Sequence, residues 1–286
     1  MNIPLLVNLI DTNISHACSY DDALESGRSS NKITYVKDQK TFNGITIFTD
    51  ERLRSVETVH SQFKVAWLME PRAYAPISYQ ILETLIDKFD AVLTHDSQLL
   101  SRYPNISKRI PADGIFLDSE SIFNKSNKNK FCSLLYSNKT MLEGHQLRHS
   151  IAKMINDTGR KIDILGSGTG TRLNKKSDAL NEYYFSIVVE NSIDDFYITE
   201  KIFDCFATQT IPIYWGTDQV LKEFNSDAII SFRTLYDLEK ILDTINTDFY
   251  NENIKAVDEN YRSVMKHYSV DDHIADALFH LLKDKE

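Results

Sequence analysis

Continuous apolar runs alternate with amphipathic stretches along most of this 286-residue chain, and that alternation narrows the folds open to it more than any other feature. Runs at 3–10, 33–36, 45–48, 64–69, 91–94, 131–136, 161–165, 185–189, 210–214 and 228–230 read as strands. Most lack a polar residue at every second position, as expected of strands buried on both faces of a parallel sheet. Between them, 77–89 places Ile77, Ile81, Leu82, Leu85, Ile86 and Phe89 on one helical face, and 142–156 does the same with Leu147, Ile151, Met154 and Ile155. Strand–helix alternation of this kind predicts an α/β fold built on parallel sheets. After Phe232 the chain reads as helices over 234–245, 250–266 and 270–283.

The polar stretch 119–130 (SESIFNKSNKNK) separates two strand–helix series of similar size and predicts an interdomain linker. The expected division is a first domain at 1–122, a second at 131–268, and a last segment, 269–286, that packs back on the first. Composition closes other routes. A chain with 42% hydrophobic and 26% charged residues has enough apolar material for a core. A formal charge of −9 argues against broad contact with a nucleic-acid backbone, though not against a local basic pocket for one nucleotide. Cys18, Cys132 and Cys205 are too few for a disulfide framework or a structural zinc site and fit a reducing compartment. No run approaches the roughly 20 apolar residues that span a bilayer. Residues 1–10 lack a basic leader and read as a first strand, so a cytoplasmic, unanchored protein is expected.

Chemistry concentrates at 188–216, VVENSIDDFYITEKIFDCFATQTIPIYWG. A buried strand runs into a polar loop, and a helix then opens with Thr199 placed to cap it. Ile202, Phe203, Phe206 and Ala207 form the inward face of that helix, which leads to a strand ending at Trp215-Gly216. The loop leaves the carboxyl end of a strand, where open α/β sheets bind ligands. Lys201 lies in the first helical turn, against the helix dipole. A cation there makes sense where an anion also sits, and free N–H groups plus one ammonium suit a diphosphate. Glu200 beside it can accept hydrogen bonds from ribose hydroxyls, or can simply favour the dipole.

Taken whole, the string resembles the signature of glycosyltransferase family 10, the α-1,3/4-fucosyltransferases: Phe185, Glu190-Asn191-Ser192, Tyr197, Thr199-Glu200-Lys201, Pro212 and Gly216. Four residues separate Ser192 from Tyr197 here, a departure from the family's spacing, while order and residue types hold. Two more places extend the resemblance. Ser137-Asn138 ends a strand before a helix bearing Arg148, where the family carries an arginine on the donor phosphates, with Lys139 and His145 as further phosphate candidates. The strand 64–69 ends at Glu70-Pro71, where the family places its general base, and Pro71 stops the strand and projects the residue before it.

The resemblance implies a GT-B arrangement, two Rossmann-like domains with mainly parallel sheets facing across a cleft. It implies an inverting transfer of fucose from GDP-fucose to a hydroxyl of a glycan acceptor. Glu70 is then the base, and Arg148, Asn191, Tyr197, Glu200 and Lys201 bind the donor. Glu190, Gly168 in the turn 166–170, His95, Arg72 and Tyr74 are expected to line the donor and acceptor cleft. An ordinary helix cap is an equal reading for Asp96 beside His95. No Asp-x-Asp motif and no Cys/His cluster of metal-ligand spacing occurs, so a metal-independent site without cofactor is expected. Two other readings stay open: a different GDP-sugar donor in the same fold, and a silent nucleotide- or glycan-binding module. The latter's mark would be loss of Glu70 or Lys201, and both are present.

Overall fold

In the computed structural model, residues 4–12, 30–123, 127–170 and 173–283 are described. Ile3 of the first expected strand, Cys18, and residues 124–126 inside the polar stretch lie outside them. The described chain forms two compact units, and each has its own sheet. The first comprises Met1–Gly114, Asp194–Tyr197 and His267–Glu286; the second, Ile115–Ile193 and Ile198–Lys266.

The first unit holds β1 (Leu5–Ile10), β2 (Ile33–Lys37), β3 (Thr41–Thr49), β4 (His60–Trp67), β5 (Ala91–Thr94) and β6 (Ser107–Arg109), in the order β2-β1-β3-β4-β5-β6 with every pairing parallel. Its helices are α1 (Pro76–Thr84), α2 (Ser97–Arg102) and the late α10 (Val270–Lys283). Successive residues of β4 go to opposite cores. Val65 and Trp67 pack with Val270, Ile274 and Leu278 of α10, while Ala66 packs with Leu53, Tyr79 and Leu82. Helices on both faces therefore account for the continuous apolar runs.

The second unit holds β7 (Lys130–Leu135), β8 (Asp163–Leu165), β9 (Tyr183–Val189), β10 (Ile211–Trp215) and β11 (Ile230–Ser231), ordered β11-β10-β9-β7-β8 and again parallel throughout. Its helices are α3 (Ser119–Phe123), α4 (Glu143–Thr158), α5 (Glu200–Ala207), α6 (Val220–Glu223), α7 (Leu235–Thr244), α8 (Thr247–Glu252) and α9 (Ile254–Val264). Leu134, Ile187 and Ile213 from the sheet meet Ile151 and Ile155 of α4, Leu238 of α7 and Val257 of α9.

Several expected boundaries move, each for a local reason. The division between units falls at Gly114/Ile115. The start of the polar stretch forms α3, and Ser121 bonds Asp118 and Ser177 there. The helix expected over 77–89 stops at Thr84, because Leu85 leaves helical geometry (φ −110°, ψ 16°) before a 3-10 turn, Ile86–Lys88. The helix expected over 250–266 breaks at Asn253, which leaves helical geometry (φ −101°, ψ 15°) while its side chain bonds the Phe249 carbonyl. The strand expected at 228–230 begins at Ile230, since Ala228 closes a 3-10 turn. The edge strand β6, Ser-Lys-Arg, has no apolar signal, which is how edge strands discourage further pairing.

Candidate active site

At the carboxyl end of β9 the chain passes from Val189 to Glu190, whose side chain is fully buried at 0% exposure. Carboxylates are seldom buried without partners, and Glu190 has several. Thr199 donates from its backbone N–H (3.1 Å) and its hydroxyl (2.8 Å), and the Lys201 ammonium lies 3.3 Å away. The Thr199 hydroxyl also accepts from the Lys201 N–H and from Lys201 Nζ (3.0 Å), and so caps α5 as the sequence predicts. Glu190, Thr199 and Lys201 thus act as one unit. Burial works against the Lys201 charge, but Glu200 and Glu190 outweigh it and its pKa rises. Glu200 lies 3.5 Å from Lys201 and 3.6 Å from Lys176, whose ammonium also pairs with buried Asp204 at 2.6 Å.

Arg148 comes to the same place from α4. Its Nε donates to the Val189 carbonyl (3.0 Å) and a terminal nitrogen donates to Asn191 Oδ1 (2.9 Å). Gly144 makes this approach possible. Its N–H bonds the Asn191 carbonyl at 3.1 Å, and a Cβ there would lie 1.7 Å from the Glu190 carbonyl oxygen. His145, one residue on, accepts the Leu142 N–H at Nδ1. Burial, then the charges of Arg148, Lys139 and Lys201, lower its pKa to about 4, so the ring is neutral at pH 7. Behind the loop, Gly216 is required because a Cβ would lie 2.2 Å from the Tyr214 hydroxyl oxygen. Gly168 is similarly fixed: its carbonyl accepts from the Tyr136 hydroxyl, and a Cβ would meet that ring at 2.4 Å.

In the first unit, half-buried Glu70 follows β4 on a turn held from several sides. Its N–H donates to Asp50 Oδ2 (3.3 Å) and its carbonyl accepts from the Tyr79 hydroxyl (2.9 Å). Arg72 and His95, expected at an acceptor cleft, are already committed here. Arg72 pairs with Asp96 and with Glu83, both at 3.1 Å, and lies over the Tyr79 ring at 4.3 Å. His95 is 1% exposed, with Nε2 bonded to the Met69 carbonyl (3.1 Å), and burial lowers its pKa to about 4. Asp96 caps α2 by accepting the Leu99 N–H. Tyr197, expected at the donor, is buried against His95 with ring centroids 4.8 Å apart, while neighbouring Phe196 lies under Arg109. Tyr74 keeps 38% exposure.

The model of glycosyltransferase family 10 (fucosyltransferase), C-terminal part, matches residues 125–277, more than half of the chain. The chain belongs to glycosyltransferase family 10. Among its relatives, the alpha-(1,3)-fucosyltransferase of Helicobacter pylori is 34% identical over 76 residues, 27% of this chain and 16% of that protein. A protein named as a fucosyltransferase in Acanthamoeba polyphaga mimivirus is 26% identical over 223 residues, 69% of this chain and 35% of its own length. The matches therefore span only a minor part of those curated relatives. A crystal structure of an alpha1,3-fucosyltransferase with GDP superposes with a TM-score of 0.61 at 17% identity, covering 98% of this chain and 90% of that one. The fold of this family-10 protein is accordingly GT-B.

The family match takes in Arg148, Asn191, Glu200 and Lys201, whereas Glu70 precedes it. Gly144 and Asp50 escaped sequence reasoning. An invariant need for no side chain, or a carboxyl aimed at a turn some twenty residues on, leaves no local pattern.

Proposed function

We propose that this chain is an inverting glycosyltransferase that moves fucose from GDP-fucose to a hydroxyl of a glycan acceptor. One observation carries it above the rest: Lys201 and Arg148 are fixed at the carboxyl end of a central strand by Glu190, Thr199, Val189 and Asn191. Preorganised cations of this sort stabilise charge as it builds on a leaving diphosphate, and they need no rearrangement as it does so. Membership of the fucosyltransferase family and similarity to a relative crystallised with GDP support a guanosine-linked donor.

In this mechanism the acceptor hydroxyl attacks the anomeric carbon of the sugar while Glu70 takes its proton, and the bond from that carbon to the diphosphate oxygen breaks. Lys201 and Arg148 neutralise the departing GDP, and Glu200 holds ribose hydroxyls. The proposal includes transfer without a metal. The mechanism is tested by calorimetry with GDP against UDP, followed by turnover of a nucleotide-sugar panel on a glycan array, with and without EDTA. GDP binding, GDP-fucose turnover and indifference to EDTA are expected. Turnover of another GDP-sugar alone would change the donor, and GDP binding with no turnover would leave a binding module.

A further inference from the structure

Asp50 opens a 3-10 turn, Asp50–Glu57, directly after β3, the strand next to β4 in the first sheet. It is buried, yet among the described residues it meets backbone N–H groups and no cation. Both of its carboxyl oxygens lie 3.3 Å from the Met69 N–H, and Oδ2 also accepts the Glu70 N–H at 3.3 Å. The peptide that projects Glu70 is therefore gripped on all its polar groups. Asp50 takes the two N–H groups, His95 the Met69 carbonyl and Tyr79 the Glu70 carbonyl. These grips come from three separate places in the unit, the turn after β3, the end of β5 and α1, so the Met69–Glu70 turn cannot shift without breaking buried hydrogen bonds.

We propose that Asp50 is the positioning residue of the base: it fixes the Met69–Glu70 turn and, as the more deeply buried carboxyl of the pair, holds the proton that the two would otherwise share. The inference rests on Glu70 being the base of the proposed transfer. Two neighbouring carboxyls resist ionising together, and whichever is more buried stays protonated first. Burial pushes Asp50 up to about 8, and the nearby charges of Glu70 and Asp11 add to it, against the pull of the Met69 and Glu70 N–H groups. The other titratable groups around this turn are Tyr79, held un-ionised mainly by burial, and His95, kept neutral at pH 7. Arg72 is occupied by Asp96 and Glu83. In the proposed arrangement the shared proton rests on Asp50, the more buried of the two, and not on Glu70.

Asp50→Asn is neutral, keeps one oxygen to accept the Met69 and Glu70 N–H groups in the place of Oδ2, and cannot titrate. Asp50→Ala removes the grip. With GDP-fucose and the acceptor found on the array, Asp50→Ala should lower kcat about 10–100-fold with donor KM within about twofold. Asp50→Asn should restore kcat to within about threefold at pH 6.5 and erase a step near pH 8 in the wild-type profile. The second measurement needs no turnover: 13C-carboxyl NMR titration of Glu70. In the wild type its signal should show an inflection near pH 8 that reports Asp50, and Asp50→Asn should abolish it. Superimposable Glu70 titrations in wild type and Asp50→Asn overturn the proposal whether or not the enzyme turns over. A coupled titration without transferase activity sinks the function and leaves the coupling standing.

Discussion

The two units end their parallel strands in opposite chemistry. In the first, β1, β3 and β5 run directly into Asp11, Asp50 and His95-Asp96, and Glu70 follows β4 by a short turn. In the second, β9 runs directly into Glu190, and that carboxylate, with Glu200, is met by Lys201 and Lys176, with Arg148 on the Val189 carbonyl beside it. Burial penalises charge at both, but with opposite outcomes. At Asp50 desolvation wins, because its partners are neutral N–H groups and its charged neighbours are acids. At Lys201 and Lys176 desolvation loses, because carboxylates lie 2.6–3.6 Å away. A unit charge at 4 Å is worth about 4 kcal/mol at an effective dielectric constant near 20, enough to reverse the sign. One edge thus favours a protonated carboxyl and the other keeps its ammonium groups charged.

Single substitutions should separate the two edges. Lys201→Ala should lower kcat/KM about 10²–10³-fold or more and weaken GDP binding in calorimetry, since in the proposed mechanism it removes a donor to the leaving group. Glu70→Gln should lower kcat about 10²–10⁴-fold with GDP affinity unchanged. Equal loss of GDP affinity in both variants would erase the contrast. Gly144→Ala should destabilise the second unit by about 1–3 kcal/mol in urea unfolding and weaken GDP, since its methyl group collides with the Glu190 carbonyl.

Stability against pH sharpens the comparison further. Asp50 binds its proton more tightly folded, so its contribution is full below about pH 4 and is lost as pH rises through about 8. His95 and His145 have lowered values near 4, so theirs is full above about pH 6.5 and is lost as pH falls. Thermal melts should therefore peak near pH 6.5, and Asp50→Asn should flatten the alkaline fall and steepen the acid one, because the Asp50 contribution offsets the histidine loss between about pH 4 and 6.5. The smallest effect belongs to Tyr74→Ala. This exposed side chain should leave the melting temperature nearly unchanged and raise only the acceptor KM.

How much the sequence disclosed follows from where each interaction's partners lie along the chain. The Glu190, Thr199 and Lys201 cluster sits within twelve residues, so cap, motif and charge could be read together. The apolar runs gave the parallel sheets because burial on both faces leaves a local trace. Arg72 and His95 looked available because their partners, Asp96 and the Met69 carbonyl, become neighbours only through the alignment of β4 and β5. Gly144 faces a loop that lies more than forty residues on, and nothing around it in sequence says so. Helix ends at Leu85 and Asn253 were misplaced because apolar spacing continues past a break in backbone geometry.

Helix α10 gives the fold a timing constraint. Its residues Val270, Ile274 and Leu278 complete a core that begins with Val7 and Ile45, and the whole second unit is encoded between them. On a ribosome, at about 5–20 residues per second, the emerging first sheet keeps one greasy face uncovered for roughly ten to thirty seconds. The inserted unit has all its strands in hand well before then. Its core, however, takes in Tyr250 and Val257, so it is complete only shortly before α10 covers the first sheet.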